Sequence, residues 1–258
     1  MKAKKSYGQH FLNKEHIAKD IALGLKDTND YQQIVEIGPG QGMLTKHLIE
    51  QYPEHQLHVI EADRDMVDYL TKHYPTLFPY IIAEDFLKVR LKEHFQEPYA
   101  IIGNFPYNIS SQILFKLIEY RQDVPELVGM FQKEVAERVA AQPNSKAYGV
   151  LTVLVQAYYD TEYLFTVGPE HFNPPPKVQS GVIRLTRKPD FEELGCDESR
   201  FRAIVKIAFS TRRKMLRNSM KQFFPKEVLF EDPFFQQRPE NLAVSEFIAL
   251  TKRASQYL

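Results

Sequence analysis

The sequence predicts an α/β protein, a largely parallel sheet with helices on both faces, followed by a small all-helical C-terminal domain. Three observations carry that prediction. Short apolar strands alternate with amphipathic stretches from residue 34 to residue 185, and a glycine-rich turn leaves the first of those strands. Strand-like segments then cease at Arg187-Lys188-Pro189-Asp190, beyond which only helical periodicity remains. The domain boundary is therefore expected there, giving residues 1–187 and 188–258.

Ile34-Val35-Glu36-Ile37 reads as a strand, and Gly38-Pro39-Gly40-Gln41-Gly42 as the turn that opens a helix from Met43 to Gln51. Leu57 to Ile60 is the second strand, ending at Glu61, with Asp63 a candidate N-cap for the stripe Met66, Val67, Leu70. Tyr80 to Ala83 and Tyr99 to Gly103 are the third and fourth, ending at Glu84-Asp85 and at Asn104-Phe105-Pro106-Tyr107. Pro106 stops either kind of element. Leu127 to Phe131 is a fifth strand. Val150 to Gln156 with Glu162 to Val167 is expected as an antiparallel hairpin, and Val182 to Leu185 as the last strand. In the C-terminal domain Phe201, Ile204, Val205, Ala208 and Phe209 form one helical stripe, and Val244, Phe247, Ile248 and Thr251 another.

Composition narrows the function classes. With 43% hydrophobic and 26% charged residues over 258, the chain is ordinarily globular, and no apolar run is long enough to span a bilayer. Ser6 to His10 is polar where a secretory apolar segment would stand, so a cytoplasmic protein is expected. The single Cys196 and eight scattered histidines offer no zinc spacing, so no metal is expected.

Net charge is zero, but its distribution is uneven. Residues 1–20 carry five Lys and two acids, residues 21–180 carry 13 basic and 21 acidic, and residues 181–258 carry 15 basic and 10 acidic, so both ends are basic. Arg200 to Lys221 holds eight Lys or Arg, among them Arg212, Arg213, Lys214 and Arg217, without a carboxylate. Such a run is either a solvated helix face or a phosphate-binding surface; unbroken single-sign charge favours the second.

A glycine-rich loop between strand and helix lets backbone N–H groups approach a ligand. Here G-x-G-x-G is followed by Met43, where a dinucleotide fingerprint has its third glycine, and a turn without a ligand is the alternative. Glu61 ends the next strand, 23 residues beyond Gly38, where a ribose diol would be held. Asp85 adds a polar group at the third strand end. At the fourth, Asn104-Phe105-Pro106-Tyr107 suits a planar exocyclic amine such as that of adenine. That nitrogen is a poor nucleophile because its lone pair is delocalised, so methylation calls for acceptors on its hydrogens as it becomes tetrahedral. The Asn104 amide oxygen and a backbone carbonyl near Pro106 can supply them, with Tyr107 stacked on the base.

These motifs resemble the KsgA/RsmA family of ribosomal RNA adenine dimethyltransferases, essentially end to end. The likeness rests on Gly8-Gln9-His10-Phe11-Leu12, Glu36-Ile37-Gly38-Pro39-Gly40, Gly103-Asn104-Phe105-Pro106-Tyr107-Asn108-Ile109-Ser110 and Gln132-Lys133-Glu134-Val135. Asn144-Ser145-Lys146-Ala147-Tyr148-Gly149, Phe172-Asn173-Pro174-Pro175-Pro176-Lys177-Val178, Arg212-Arg213-Lys214 and Arg217-Asn218-Ser219 extend it. The family more often has Leu at Phe105.

The resemblance implies a Rossmann-like class I sheet that binds S-adenosylmethionine, and four methyl transfers to two adjacent adenosines near the 3′ end of 16S ribosomal RNA in the small (30S) subunit or its precursor. By the same resemblance His10, Leu12, Gly38, Gly40, Glu61, Asp85 and Asn104 line the donor site. Asn104, Pro106, Tyr107 and Phe172 serve the acceptor, with Tyr107 and Phe172 sandwiching an extruded base. The arm 1–12 and Arg212, Arg213, Lys214 and Arg217 hold RNA phosphates. A monomer acting in late subunit assembly is expected. Three rivals are a methyltransferase of large-subunit RNA conferring antibiotic resistance, a non-catalytic assembly factor, and an NAD-dependent oxidoreductase. The first fits the C-terminal motifs less well, the second leaves Asn104 and Glu61 without a purpose, and the third lacks the glycine at Met43.

Overall fold

The structure, a computed structural model, describes residues 10–257; the basic arm expected over residues 1–12 lies outside them up to Gln9. The chain divides into two compact units. One takes residues up to Glu137 together with Asp160–Arg187, the other Arg138–Tyr159 together with the chain from Lys188 onward.

In the first unit β1 (Phe11–Leu12) and α1 (Glu15–Ala22) precede β2 (Gln33–Ile37), α2 (Thr45–Gln51), β3 (Gln56–Ile60), α3 (Arg64–His73) and β4 (Ile81–Ile82). After α4 (Leu91–His94) come β5 (Tyr99–Asn104), α5 (Ser110–Glu119), β6 (Glu126–Gln132) and α6 (Lys133–Val139). The seven-stranded sheet has the order β4-β3-β2-β5-β6-β9-β7 once β7 (Tyr159–Val167), β8 (Phe172–Asn173) and β9 (Ser180–Arg187) are added. The strands β4 to β6 run parallel to their neighbours and β9 runs antiparallel to β6.

The centre of the sheet is buried on both faces, which is why Tyr99 to Gly103 reads as an unbroken apolar run and Ile34 to Ile37 as one interrupted by Glu36 alone. Ile34, Val59, Ala100, Ile102, Val128 and Met130 share one core cluster with Ile17, Ile21 and Leu25. Asp63 caps α3 as its position suggests, accepting from the Asp65 N–H at 3.1 Å. Strand order reverses between β2 and β5, so the crevice beyond their carboxyl ends is where an open α/β sheet takes a ligand.

The second unit holds α7 (Val150–Gln156), α8 (Glu198–Ser210), α9 (Leu216–Ser219), α10 (Lys226–Glu231) and α11 (Val244–Ala254). Two sequence expectations are corrected here. Val150–Gln156 is a helix, not a strand, so no hairpin joins it to β7, whose sheet neighbour is β9. Leu151 to Val155 are all buried, and a short run that is apolar all round carries no period to separate helix from strand. Residues 138–159, expected in the larger domain, group with the C-terminal helices because α7 packs on α8.

The intervening turn is latched within that unit. Asn144 donates its backbone N–H to Glu240 O at 2.7 Å and accepts at Oδ1 from the Asn241 amide at 2.7 Å. The motif 144–149 thus reads as a structural clasp.

Candidate active site

The strand ends meet at one cavity of about 460 Å³. His10, Leu12, Gly38, Gly40, Glu61, Asp85, Asn104, Pro106 and Tyr107 all line it, as do Glu36, Tyr69 and Tyr74. The loop after β2 bends into it through glycines with positive φ, +66° at Gly38 and +55° at Gly40. A side chain would be strained at either position, and a Cβ on Gly38 would project into open space. The backbone therefore forms the cavity floor.

Glu61, 6% exposed, braces that loop. Its Oε2 accepts from the Gly40 N–H at 3.2 Å and its Oε1 from the Asp63 N–H at 2.9 Å. Burial raises its pKa while these bonds oppose the rise. Each oxygen keeps a further lone pair for a hydroxyl donor.

Glu36 is buried deeper, at 2%, and accepts from the Thr45 hydroxyl at 2.7 Å. Burial, with Glu61 adding to it, pushes its carboxyl up to about 8. Glu36 is thus held as an uncharged acid at neutral pH.

Asn104, the last residue of β5, donates its Nδ2 to the carbonyl of His10 at 3.1 Å. Among the described residues no protein donor meets its Oδ1, so the amide oxygen remains as an acceptor. Tyr107 shares a hydrogen bond of 2.5 Å with the buried Ser180 hydroxyl, and burial raises the phenol's pKa. The His10 imidazole stacks on Tyr107, with centroids 5.4 Å apart, and its Nδ1–H donates to Pro174 O, 2.8 Å away. Segment 10–12 therefore closes one wall of the cavity.

Phe105 is fully buried beside Phe131, 4.9 Å away, and lies over two glycines that face each other across β5 and β6, Gly103 and Gly129. A Cβ on Gly129 would fall 2.1 Å from the ring. The two glycines leave room for the ring, and Asn104 keeps its place at the strand end.

Two of the expected site residues are already engaged within the fold. Phe172 is 3% exposed, sits in the core cluster opposite Leu12 and does not line the cavity, because pairing of β8 with β1 turns it inward. As packed here it presents no face to a base. In the second unit Arg212 is not a free cation. Its Nε donates to Glu240 at 2.8 Å and its Nη2 to Ser145 O at 3.1 Å, which ties the 144–149 clasp to the helices. Arg213 and Lys214 are exposed, and Arg217 lies 5.5 Å over the exposed Phe230 ring.

Sequence reasoning missed Glu36, Ser180 and Lys116 as contributors to this region. Glu36 stands inside a quoted motif, but nothing short of its burial shows that it is uncharged. Ser180 and Lys116 reach Tyr107 and the Asp85 turn only through tertiary contacts.

A parallel sheet with a glycine loop, strand-end acids and a terminal Asn-x-Pro-Tyr defines a class I methyltransferase fold. The chain belongs to the ribosomal RNA adenine dimethylase family, whose profile matches residues 1–244. It is 53% identical to a ribosomal RNA small subunit methyltransferase A of Flavobacterium johnsoniae, over 98% of this chain and 96% of that one. It is 50% identical to the protein of that name in Cytophaga hutchinsonii, over 99% and 98%. Among solved structures a dimethyladenosine transferase from Plasmodium falciparum superposes with a TM-score of 0.80 at 26% identity, covering 96% of this chain and 98% of its own. The 23S rRNA methyltransferase ErmE shares the fold, with a TM-score of 0.68 at 22% identity, over 94% and 99%.

Proposed function

We propose that this chain is an S-adenosylmethionine-dependent dimethyltransferase of small-subunit ribosomal RNA, acting on the N6 amines of two adjacent adenosines near the 3′ end of 16S RNA in the 30S subunit or its precursor. One observation carries the reading: four strand ends converge on a single cavity, and at the last of them the Asn104 amide oxygen is left as an acceptor. Family membership over residues 1–244 supports it.

The cavity suits the donor. Gly38 and Gly40 offer a backbone floor, Glu61 two acceptors for a ribose diol, Asp85 a polar group for the adenine, and His10 and Leu12 a wall. S-adenosylmethionine supplies a methyl on a sulfonium. The protein's part is positioning. Asn104 Oδ1 and the Pro106 carbonyl accept the two N6 hydrogens and draw electron density back onto the nitrogen as it pyramidalises. Tyr107, held by Ser180, gives the base a face to lie on once the His10 ring yields it. A second transfer needs room for a methyl in place of one hydrogen, and the cavity extends past Asn104 along Phe105 to Ile109.

The second unit is assigned RNA contact through Arg213, Lys214 and Arg217, with Arg212 holding their platform. The protein works as a cytoplasmic monomer on the assembling subunit; among its described residues no helix is long and apolar enough to cross a membrane. The test is transfer of labelled methyl to small subunits lacking the 3′-end modification, with nucleoside analysis. N6,N6-dimethyladenosine at two neighbouring positions is expected. Label on large-subunit RNA would assign the chain to the resistance reaction instead, and tight subunit binding without label would make it a silent assembly factor.

A further inference from the structure

Lys116 is, among the described residues, the one buried lysine or arginine, at 8% exposure. It stands on α5, the helix that follows the Asn-x-Pro-Tyr turn, and it lines no part of the cavity. A buried ammonium is costly unless it is satisfied. Lys116 spends two of its three N–H groups on backbone carbonyls, those of Phe86 and Val89, each 2.5 Å from Nζ. Its charge lies 4.9 Å from the Phe86 ring centroid and 5.7 Å from that of Tyr120.

Both carbonyls belong to the turn that carries Asp85. In that turn Asp85 Oδ1 accepts from the Leu87 N–H at 2.9 Å, and the Asp85 carbonyl accepts from Lys88 at 2.8 Å and Val89 at 3.0 Å. Among the described residues no backbone N–H meets the carbonyls of Phe86 or Val89, and both residues are buried. Without Lys116 two buried acceptors would be orphaned within four residues of Asp85. The turn presents Glu84, Asp85, Phe86 and Leu87 to the cavity, so whatever fixes its backbone fixes that wall.

We propose that Lys116 is a positioning residue for the methyl donor, its ammonium clamping the 85–89 turn so that Asp85 and Phe86 are held ready for the adenine end of S-adenosylmethionine. This rests on the assignment of the cavity to that donor. The clamp is electrostatic as well as geometric. An ammonium beside the turn offsets the negative charge of Glu84 and Asp85, which otherwise makes that wall repel acceptors on the ligand. The acceptor base is served by Asn104 and Tyr107, neither of which Lys116 contacts, so the clamp acts on donor affinity and leaves the transfer step untouched.

The test compares wild type with Lys116→Met, which keeps the length of the side chain without its donors, and Lys116→Arg, which restores charge and donors. Three readings are taken: the dissociation constant for S-adenosylhomocysteine by calorimetry, KM for the donor against kcat, and amide hydrogen exchange over residues 86–90. The methionine variant is expected to weaken S-adenosylhomocysteine binding and raise KM by about tenfold or more, with kcat at saturating donor within about threefold of wild type. Exchange over 86–90 should rise and arginine should recover part of each effect. An unchanged dissociation constant, or a kcat loss matched by lower thermal stability with KM intact, would make Lys116 merely structural and overturn the proposal. Should the methionine variant fail to fold, the arginine variant decides: wild-type exchange over 86–90 paired with weakened binding contradicts the clamp. Failure of the wild type itself to bind S-adenosylhomocysteine would instead strike the donor-site assignment.

Discussion

Replacing Glu36 with glutamine tests the charge state of the cavity floor. In the folded protein burial pushes this carboxyl up to about 8, from an ordinary value of 4.5. Between those values the unfolded chain releases the Glu36 proton while the folded chain keeps it. Folding stability from this group is therefore fully present below about pH 4.5 and is lost as pH rises toward 8. At about 1.4 kcal/mol per pH unit the whole difference is on the order of 5 kcal/mol, and the part falling between pH 5 and 8 is roughly 3–4 kcal/mol. Glutamine keeps an acceptor for the Thr45 hydroxyl and does not titrate. Urea unfolding of wild type and Glu36→Gln at pH 5 and pH 8 reads Glu36 together with its coupling to Glu61, since titrations away from this pair are common to both proteins. The wild type should lose on the order of 3–4 kcal/mol more than the variant across that interval, so that the variant becomes the more stable protein at pH 8. Stabilities that fall in parallel would refute the assignment of Glu36 as the uncharged acid.

Glu61→Ala should raise the dissociation constant for S-adenosylhomocysteine by about 1–3 kcal/mol, read by calorimetry; an unchanged value removes Glu61 from the ribose. Gly129→Ala drives a methyl into the Phe105 ring and should cost about 1–3 kcal/mol in chemical denaturation, with Phe105→Leu recovering part of it in the double variant. Arg213→Ala with Lys214→Ala should weaken subunit binding and flatten its salt dependence by about one to two, from a slope of roughly −5 if six phosphates are contacted. Arg212→Ala should instead lower stability by about 1–2 kcal/mol through the Glu240 and Ser145 contacts, with little change in slope; a flattened slope would return Arg212 to the RNA surface.

Most of the cavity was legible in the sequence because its residues sit at strand ends, and strand ends are marked locally. Gly38, Glu61, Asp85 and Asn104 each close an apolar run, and parallel strands of one sheet bring such positions to one edge. The failures have a common physical origin. Val150–Gln156 lacks a polar face to declare its period. Phe172 precedes a proline run that fixes its direction, but the register of β8 on β1, which no local signal reveals, turns it into the core. Arg212 stands in a basic run most of whose members are exposed, and only the fold shows that Glu240 and Ser145 reach it. The room that Phe105 occupies is likewise hidden in the sequence, because it is cleared by Gly103 and Gly129, which only strand pairing brings together.

The central claim is that Asn104 holds an adenine amine for methylation, and Asn104→Ala beside wild type tests it most directly. With small subunits lacking their 3′-end dimethyladenosines as substrate, the wild type should yield N6,N6-dimethyladenosine at two adjacent positions. The variant should bind the same subunits with an affinity close to wild type while transferring methyl, at saturating donor, about 10²–10³-fold more slowly. A variant that transfers at the wild-type rate, or a wild type whose product is anything other than N6-methylated adenosine, would contradict the account.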